Sequence, residues 1–175
     1  ILIPSRMAAT RLPGKPLLKI NNLSIISHVF KRAEEANIGE VVVATDDQEI
    51  LKDVLKNGGR AILTNKNHKT GTDRIYEAYK KLNVDNIDYI LNLQGDEPDI
   101  NKDEIINLNN CMINHNAELG TLAAKIKGSK MFNDRNVVKV ITDQKLEESN
   151  FPIALNFTRD NLSTDYQNIY HHIGI

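Results

Sequence analysis

Several features that would point to a particular class of protein are scarce or missing in this 175-residue sequence. It has one cysteine, Cys111, so the chain cannot close an internal disulfide, and nothing ties it to an oxidising compartment. No apolar run approaches the ~18 residues that a membrane helix needs. The amino end lacks the charged, apolar and small-residue segments of a secretory signal. We therefore predict a cytoplasmic protein with no membrane partner.

An excess of charge of either sign is also absent. The 22 lysines and arginines nearly balance the 23 aspartates and glutamates, which leaves a formal net charge of −1. This balance gives no general attraction to nucleic acid, so we expect no nucleic-acid partner, and any anion-binding site must be local. Hydrophobic residues make up 41%, which is typical of a globular chain with one substantial core.

Strand and helix patterns alternate along most of the chain. We predict strands at 1–3, 41–44, 61–63 and 88–93, and helices at 25–36, 46–57, 72–82 and 101–114. The predicted N-caps are Ser24, Asp46, Thr72 and Asn101, and the inner face of the third helix is predicted to be Ile75, Tyr76, Tyr79 and Leu82.

The later part of the chain has less helix, with strands predicted at 119–126, 137–141 and 152–157. The alternating part predicts one α/β domain with a mostly parallel sheet and helices on both faces. The later strands predict an antiparallel or mixed extension of it.

Ligands of open α/β sheets bind outside the carboxyl ends of the strands, and three polar segments of this sequence fall there. In residues 4–16, Arg6, Arg11 and Lys15 occupy a loop that prolines stiffen and that Gly14 opens to backbone approach. Such a loop is suited to cradle a triphosphate; the alternative is a solvated basic connection.

The other two segments leave their alternatives open. Residues 92–98 end a strand with two adjacent carboxylates, and Asp96 is either a Mg²⁺ ligand or part of a turn that faces water. Residues 67–74 lead into a helix, and Thr72 and Arg74 either hold a nucleotide or form an ordinary cap with a surface arginine.

Taken together, these segments resemble the 3-deoxy-manno-octulosonate (Kdo) cytidylyltransferases, also called CMP-Kdo synthetases. The segments that carry the resemblance are IPSRMAATRLPGKPL (3–17), VATD (43–46), HKTGTDR (68–74), NLQGDEP (92–98), NVVKV (136–140), NFTR (156–159) and HHIGI (171–175). They span nearly the whole chain in the family's order, and the first segment together with QGDEP is highly specific.

The resemblance implies a single-domain, Rossmann-like nucleotidyltransferase fold over residues 1–175 and a defined reaction. CTP binds over the first loop, the anomeric hydroxyl of Kdo attacks the α-phosphorus, and pyrophosphate leaves. The product, CMP-Kdo, serves lipopolysaccharide biosynthesis. Most of the catalysis in such a transfer is positioning and charge neutralisation.

The resemblance also implies the site residues. Arg6, Lys15 and Asp96 are expected to be catalytic. Arg6 and Lys15 neutralise phosphates, Thr72 and Arg74 hold the nucleotide, and Asp96 binds Mg²⁺. The expected sugar ligands are Gln94, Lys139, Arg159 and His172, with Arg159 suited to an acidic substrate. The family also implies a homodimer.

Three departures from the family's pattern are visible. We expect the chain to lack its C-terminal part, including a second metal-binding aspartate, as well as the first residues of strand 1. The stretch between Arg159 and His171 is also shorter than usual. Two alternatives remain: another nucleotidyltransferase, acting on sialic acid or a sugar 1-phosphate, and a non-catalytic module that binds CTP.

Overall fold

A computed structural model describes residues 1–7, 12–160 and 168–175 of the chain. Two compact units are present, residues 1–109 with Ile175 and residues 110–174. One domain over residues 1–175 stays a prediction. No helix of the described residues is long and apolar enough to cross a membrane.

The first unit is an α/β layer structure. Its elements are β1 (Leu2–Ser5), a 3₁₀ helix (Lys15–Leu17), β2 (Lys19–Ile20), β3 (Leu23–Ser24), α1 (Ile25–Glu35), β4 (Val42–Thr45), α2 (Gln48–Lys56), β5 (Ala61–Leu63), α3 (Gly71–Leu82) and the beginning of α4 (Lys102–His115). β1, β4 and β5 form a parallel sheet in the order β1-β4-β5, and β2 pairs with β3 in a short hairpin.

Helices cover both faces of the parallel sheet, as predicted. Successive residues of a strand point to opposite faces. Ile3 and Val43 accordingly pack with the apolar faces of α1 and α2, whereas Leu2 and Val42 pack with Ile75 of α3. All four residues of β4 are buried, which explains its continuous apolar run.

The predicted strand at 88–93 is wrong in extent, because only one parallel bridge forms there, between Asn92 and Leu2. Leu2 donates its N–H to the carbonyl of Leu91 at 2.8 Å and accepts from the N–H of Leu93 at 3.1 Å. Ile90 is 43% exposed, so the residues before this point have no core in which to form a buried strand. The bridge still fixes the following turn beside the end of β1.

Two predicted helix caps are wrong by one or two residues. Asp47 caps α2, accepting from Glu49 N at 2.8 Å, because Asp46 is engaged elsewhere. Thr70 caps α3 in a capping box with Asp73.

The predicted inner face of α3 is wrong at Tyr76, whose side chain is 62% exposed. Buried Ala78 is one of the residues that make that face instead. The predicted cap at Ser24 is confirmed, since its hydroxyl accepts from Ser27 N at 3.2 Å.

The second unit is built on an antiparallel sheet. It contains the end of α4, then β6 (Leu122–Lys125), α5 (Gly128–Asn133), β7 (Lys139–Thr142), β8 (Ala154–Thr158) and β9 (Ile169–Ile173), with strand order β6-β9-β7-β8. The later strands therefore form an antiparallel sheet, as predicted, but among the described residues its strand order includes no strand of the parallel sheet. The short helix α5 and the central strand β9 were not predicted.

Candidate active site

The predicted catalytic residues Lys15 and Asp96 meet although 81 residues separate them in the sequence. Lys15 Nζ lies 2.7 Å from Asp96 Oδ2, and the two side chains are 32% and 53% exposed. Gly14, with a φ of 75°, makes the turn that leads into the 3₁₀ helix of Lys15. The pair is therefore held at the carboxyl end of β1, where solvent and ligands reach it.

A close backbone approach places Asp96 at this edge. A Cβ atom built on Gly95 would lie 2.7 Å from the carbonyl oxygen of Pro4 at the end of β1. Only glycine allows the turn after Leu93 to pack this tightly, so Gly95 brings the carboxylate of the next residue against the first loop.

Arg74 binds side chains that follow two different strands. Its guanidinium is 3.1 Å from the carboxylate of Asp46 after β4 and donates at 2.5 Å to the hydroxyl of Thr64 after β5. Arg74 is only 3% exposed, so it is not the surface arginine of the alternative interpretation. It cross-links the ends of the parallel strands and at the same time faces the cleft described next.

A cleft of about 180 Å³ lies beside these groups. The lining residues that bear on function are Arg6, His68, Thr70, Gly71, Arg74 and Gln94. Three predicted ligands, Arg6, Arg74 and Gln94, are thus brought together. Thr72 does not line this cleft; it is an exposed residue of the first turn of α3. Arg11 lies outside the described residues.

His68 is a cleft residue whose role was not predicted. Its Nε2 contacts the carboxylate of Glu77, which also accepts from Lys81 Nζ at 2.7 Å and from Asn65 N at 2.8 Å. These partners, Lys81 first, lower the pKa of Glu77 to about 2. Glu77 therefore stays an anionic acceptor that holds the His68 ring at the cleft.

The two residues of this contact lie in neighbouring segments of the sequence. His68 belongs to the segment that leads into α3, and Glu77 follows on that helix. What hid the pair was the bend between loop and helix, which sequence spacing alone does not define.

In the second unit, the predicted sugar ligands Lys139 and Arg159 both contact backbone carbonyl oxygens of residues 134–137. Lys139 Nζ donates to the carbonyls of Asp134 at 3.3 Å and Val137 at 3.4 Å, and its side chain is fully buried. Arg159 Nη1 donates to the carbonyls of Arg135 at 3.3 Å and Asn136 at 3.0 Å. We call residues 134–137 the carbonyl turn.

His172 is separated from Lys139 by the strand register. Lys139 is paired with His171 across β7 and β9, so the side chain of His172 points to the opposite face of the sheet. There its Nε2 is 2.8 Å from Thr121 Oγ1, and its ring meets Phe157 edge-on. Burial, then the charge of His171, lowers the pKa of His172. The alternation of side chains between the two faces of a strand was the sequence signal that could have shown that Lys139 and His172 lie apart.

The described residues contain no group of three or more His, Cys, Asp or Glu side chains arranged to hold a metal ion. A Mg²⁺ ion that is bound mainly through substrate phosphates needs only one or two protein carboxylates. The exposed carboxylate of Asp96 can supply one such ligand when Lys15 turns to the phosphates.

Comparisons with known proteins identify the family of the chain. The family model described as Cytidylyltransferase matches residues 1–175. The 3-deoxy-manno-octulosonate cytidylyltransferase of Rhodopseudomonas palustris (strain BisB18) is 44% identical over all of this chain and 71% of its own length. The enzyme of the same name from Thermodesulfovibrio yellowstonii is 43% identical over 99% of this chain and 72% of its own.

Solved structures extend the similarity to the fold. A structure described as CMP:2-keto-3-deoxy-manno-octonic acid synthetase complexed with CTP is 35% identical, with a TM-score of 0.85, over 99% of this chain and 70% of that one. A cytidylyltransferase from Leptospira borgpetersenii is 27% identical, with a TM-score of 0.58, over 73% of this chain and 53% of that one. The chain is therefore a nucleotidyltransferase that belongs to the cytidylyltransferase family and, within it, to the 3-deoxy-manno-octulosonate cytidylyltransferases.

Proposed function

We propose that this chain transfers CMP from CTP to Kdo and releases pyrophosphate, supplying CMP-Kdo for lipopolysaccharide biosynthesis. The observation that carries the proposal is the Lys15–Asp96 pair, with Nζ and Oδ2 2.7 Å apart at the carboxyl end of β1. The relatives that carry this activity in their names support it over most of their length. The structural neighbour that was solved with CTP supports the nucleotide.

The nucleotide is assigned to the first unit. Arg6 and Lys15 neutralise the phosphates, and Arg74 faces the nucleotide from the cleft while Asp46 keeps its guanidinium in place. Thr72, on the first turn of α3, is assigned to the nucleotide through the positive end of the helix. Lys15 is available because its exposed pair with Asp96 is weak in water, and a triphosphate competes well for it.

The chemistry needs orientation more than covalent help. The anomeric hydroxyl oxygen of Kdo forms a bond to the α-phosphorus, the bond from that phosphorus to the bridging oxygen of the β-phosphate breaks, and the hydroxyl proton passes to water. Cations around the phosphates stabilise the charge that moves onto pyrophosphate.

Asp96 is the proposed ligand of a Mg²⁺ ion. When bound, such an ion neutralises phosphate charge and makes pyrophosphate a better leaving group. Lys15 beside Asp96 keeps the carboxylate in place before the nucleotide arrives.

The predicted sugar ligands are each considered within their own unit. In the first unit, Gln94 lines the cleft and offers an amide to a sugar hydroxyl. In the second, Arg159 is exposed and offers a guanidinium to the carboxylate. Of the other two predicted sugar ligands, Lys139 is fully buried and His172 lies on the opposite face of the sheet from it. We also propose a cytoplasmic homodimer.

Pyrophosphate release tests the function. The protein is assayed with CTP and Mg²⁺, with either Kdo or sialic acid as acceptor. We expect release with Kdo and none with sialic acid. Release with sialic acid or a sugar 1-phosphate instead would assign a different nucleotidyltransferase, and CTP binding without any release would favour a binding module.

A further inference from the structure

We propose that Lys139 is a positioning residue that acts through the carbonyl turn to hold the guanidinium of Arg159 for the carboxylate of the sugar acid. This inference rests on the proposed function. It replaces direct sugar binding by Lys139 with an indirect role.

The burial of Lys139 is the first step. Its relative exposure is 0%, so its ammonium group cannot touch a substrate in this structure. A buried charge is costly unless it is well hydrogen-bonded, and here the partners are the carbonyls of Asp134 and Val137. No carboxylate of residues 1–7, 12–160 or 168–175 forms a salt bridge with Lys139, so its contacts serve the backbone.

The carbonyl turn is the second step, because it is shared between two cations. Lys139 binds its outer carbonyls, those of residues 134 and 137, and Arg159 binds its inner ones, those of residues 135 and 136. Lys139 also pairs with Thr158 across β7 and β8, and Arg159 is the next residue. The two cations therefore contact different carbonyls of the same turn, one from β7 and the other from the end of β8.

The turn has further bracing of its own. Asp134 Oδ1 accepts from Asn136 N at 2.8 Å and from Asn136 Nδ2 at 2.9 Å, and Val137 N donates to the carbonyl of Asp134 at 3.1 Å. With Lys139 added, the carbonyls of residues 135 and 136 have a defined direction. Arg159 is thus held by a rigid acceptor pair.

The chemistry of the guanidinium is the third step. Arginine has five N–H donors, and the two carbonyls use Nη1, which leaves the edge formed by Nε and Nη2. That edge donates two parallel hydrogen bonds to a carboxylate. Carbonyl oxygens are neutral, so Arg159 keeps its full positive charge for an anionic ligand. Because the two carbonyls hold Nη1, they also set the direction of the edge formed by Nε and Nη2.

The test compares the wild-type protein with Arg159→Lys, Lys139→Met, the double variant, and Lys130→Met as the control. Lys130 is an exposed lysine of the same unit, so its variant matches the loss of charge. We expect Arg159→Lys and Lys139→Met each to raise KM for Kdo about tenfold while KM for CTP stays within about twofold. Lys130→Met should leave both constants unchanged.

The double variant separates positioning from a purely structural role. If Lys139 acts through Arg159, Lys139→Met changes KM for Kdo much less in the Arg159→Lys background than in the wild type. The preference of the wild type for Kdo over its carboxamide, measured by inhibition, should shrink in both single variants.

Several outcomes would overturn the inference. These are an unchanged KM for Kdo in either single variant, an equal rise in the KM of both substrates, and fully additive effects in the double variant. If Lys139→Met does not fold, the KM values for Kdo and CTP are measured instead with Lys139→Gln, which keeps a hydrogen-bond donor. A wild-type protein that does not turn over CTP with Kdo would refute the proposed function instead.

Discussion

The cations of the proposed site residues are held in different ways in the two units. In residues 1–109, Lys15 and Arg74 are paired with the carboxylates of Asp96 and Asp46. In residues 110–174, Lys139 and Arg159 donate to carbonyls of the carbonyl turn. A carboxylate cancels the charge of its partner, whereas a carbonyl orients a cation and leaves the charge in place.

This difference matches the ligands that we assign to each unit. A triphosphate brings several negative charges, enough to displace an exposed ion pair. A sugar acid brings one carboxylate, and a cation already neutralised by the protein would bind it weakly. A single arginine oriented by neutral acceptors is the better receptor for it.

The largest effect is expected at the exposed pair of the first unit. Asp96→Ala should lower turnover by at least about 100-fold, since it removes the proposed metal ligand and the partner of Lys15. The fold should remain, because the side chain of Asp96 is 53% exposed. Pyrophosphate release and circular dichroism measure the two properties.

Glu97→Ala is the matched control for that variant. It removes a negative charge from the neighbouring exposed position of the same turn and should keep most of the activity. An Asp96→Ala protein as active as Glu97→Ala would refute the assignment of Asp96.

The buried pair of the first unit should affect stability instead. Arg74→Met leaves the carboxylate of Asp46 and the hydroxyl of Thr64 without their partner, so the free energy of unfolding should fall by about 3 kcal/mol. Urea denaturation followed by circular dichroism measures the change. Lys80→Met, at an exposed position of the same helix, removes a cation–π contact with Tyr76 and should change it by less than about 1 kcal/mol.

An equal loss in the Arg74 and Lys80 variants would contradict a cross-linking role for Arg74. It would also weaken the contrast between the exposed and the buried ion pairs of the first unit.

The smallest effect is the pH dependence set by Glu77. Its pKa is lowered from 4.5 to about 2, so its contribution to stability is present above pH 4.5 and is lost as the pH falls towards 2. Glu77→Gln should lower the free energy of unfolding by about 1 kcal/mol at pH 7, after allowance for solvent screening, and by less at pH 3.

In the second unit, His172 should affect the free energy of unfolding over a different pH range, which the variant His172→Gln tests. Because burial lowers the pKa of His172, its contribution is present above about pH 6.5 and is lost as the pH falls below that value. Urea denaturation from pH 8 to pH 3 compares the variants. A difference between wild type and Glu77→Gln that does not change between pH 5 and pH 3 would contradict the assignment.

Local patterns predicted most elements of the first unit. The β-branched run at 41–44 and the apolar spacing at 25–36 are strong signals, and both became buried elements. The caps at Asp46 and Thr72 failed because several polar residues compete at each helix start. Asp46 binds Arg74, a residue of a different helix, and a sequence window contains no information about that contact.

The strand at β9 was missed for a related reason. Its residues mix histidines with apolar side chains, so they show no clear alternation, and pairing on both sides by β6 and β7 makes them a central strand. The predicted strand at 88–93 was wrong in the opposite sense, since only Asn92 forms a bridge there and Ile90 is exposed.

The sequence by itself determined the family, the alternation of strands and helices, and the residue types of the site, because these follow from local spacing and specific segments. Only the tertiary structure decided which of those residues meet. It paired Lys15 with Asp96, buried Arg74 and Lys139, and set His172 on the opposite face from Lys139. The reason is that strand register and packing between distant segments fix side-chain neighbours, and neither is encoded within a short stretch of chain.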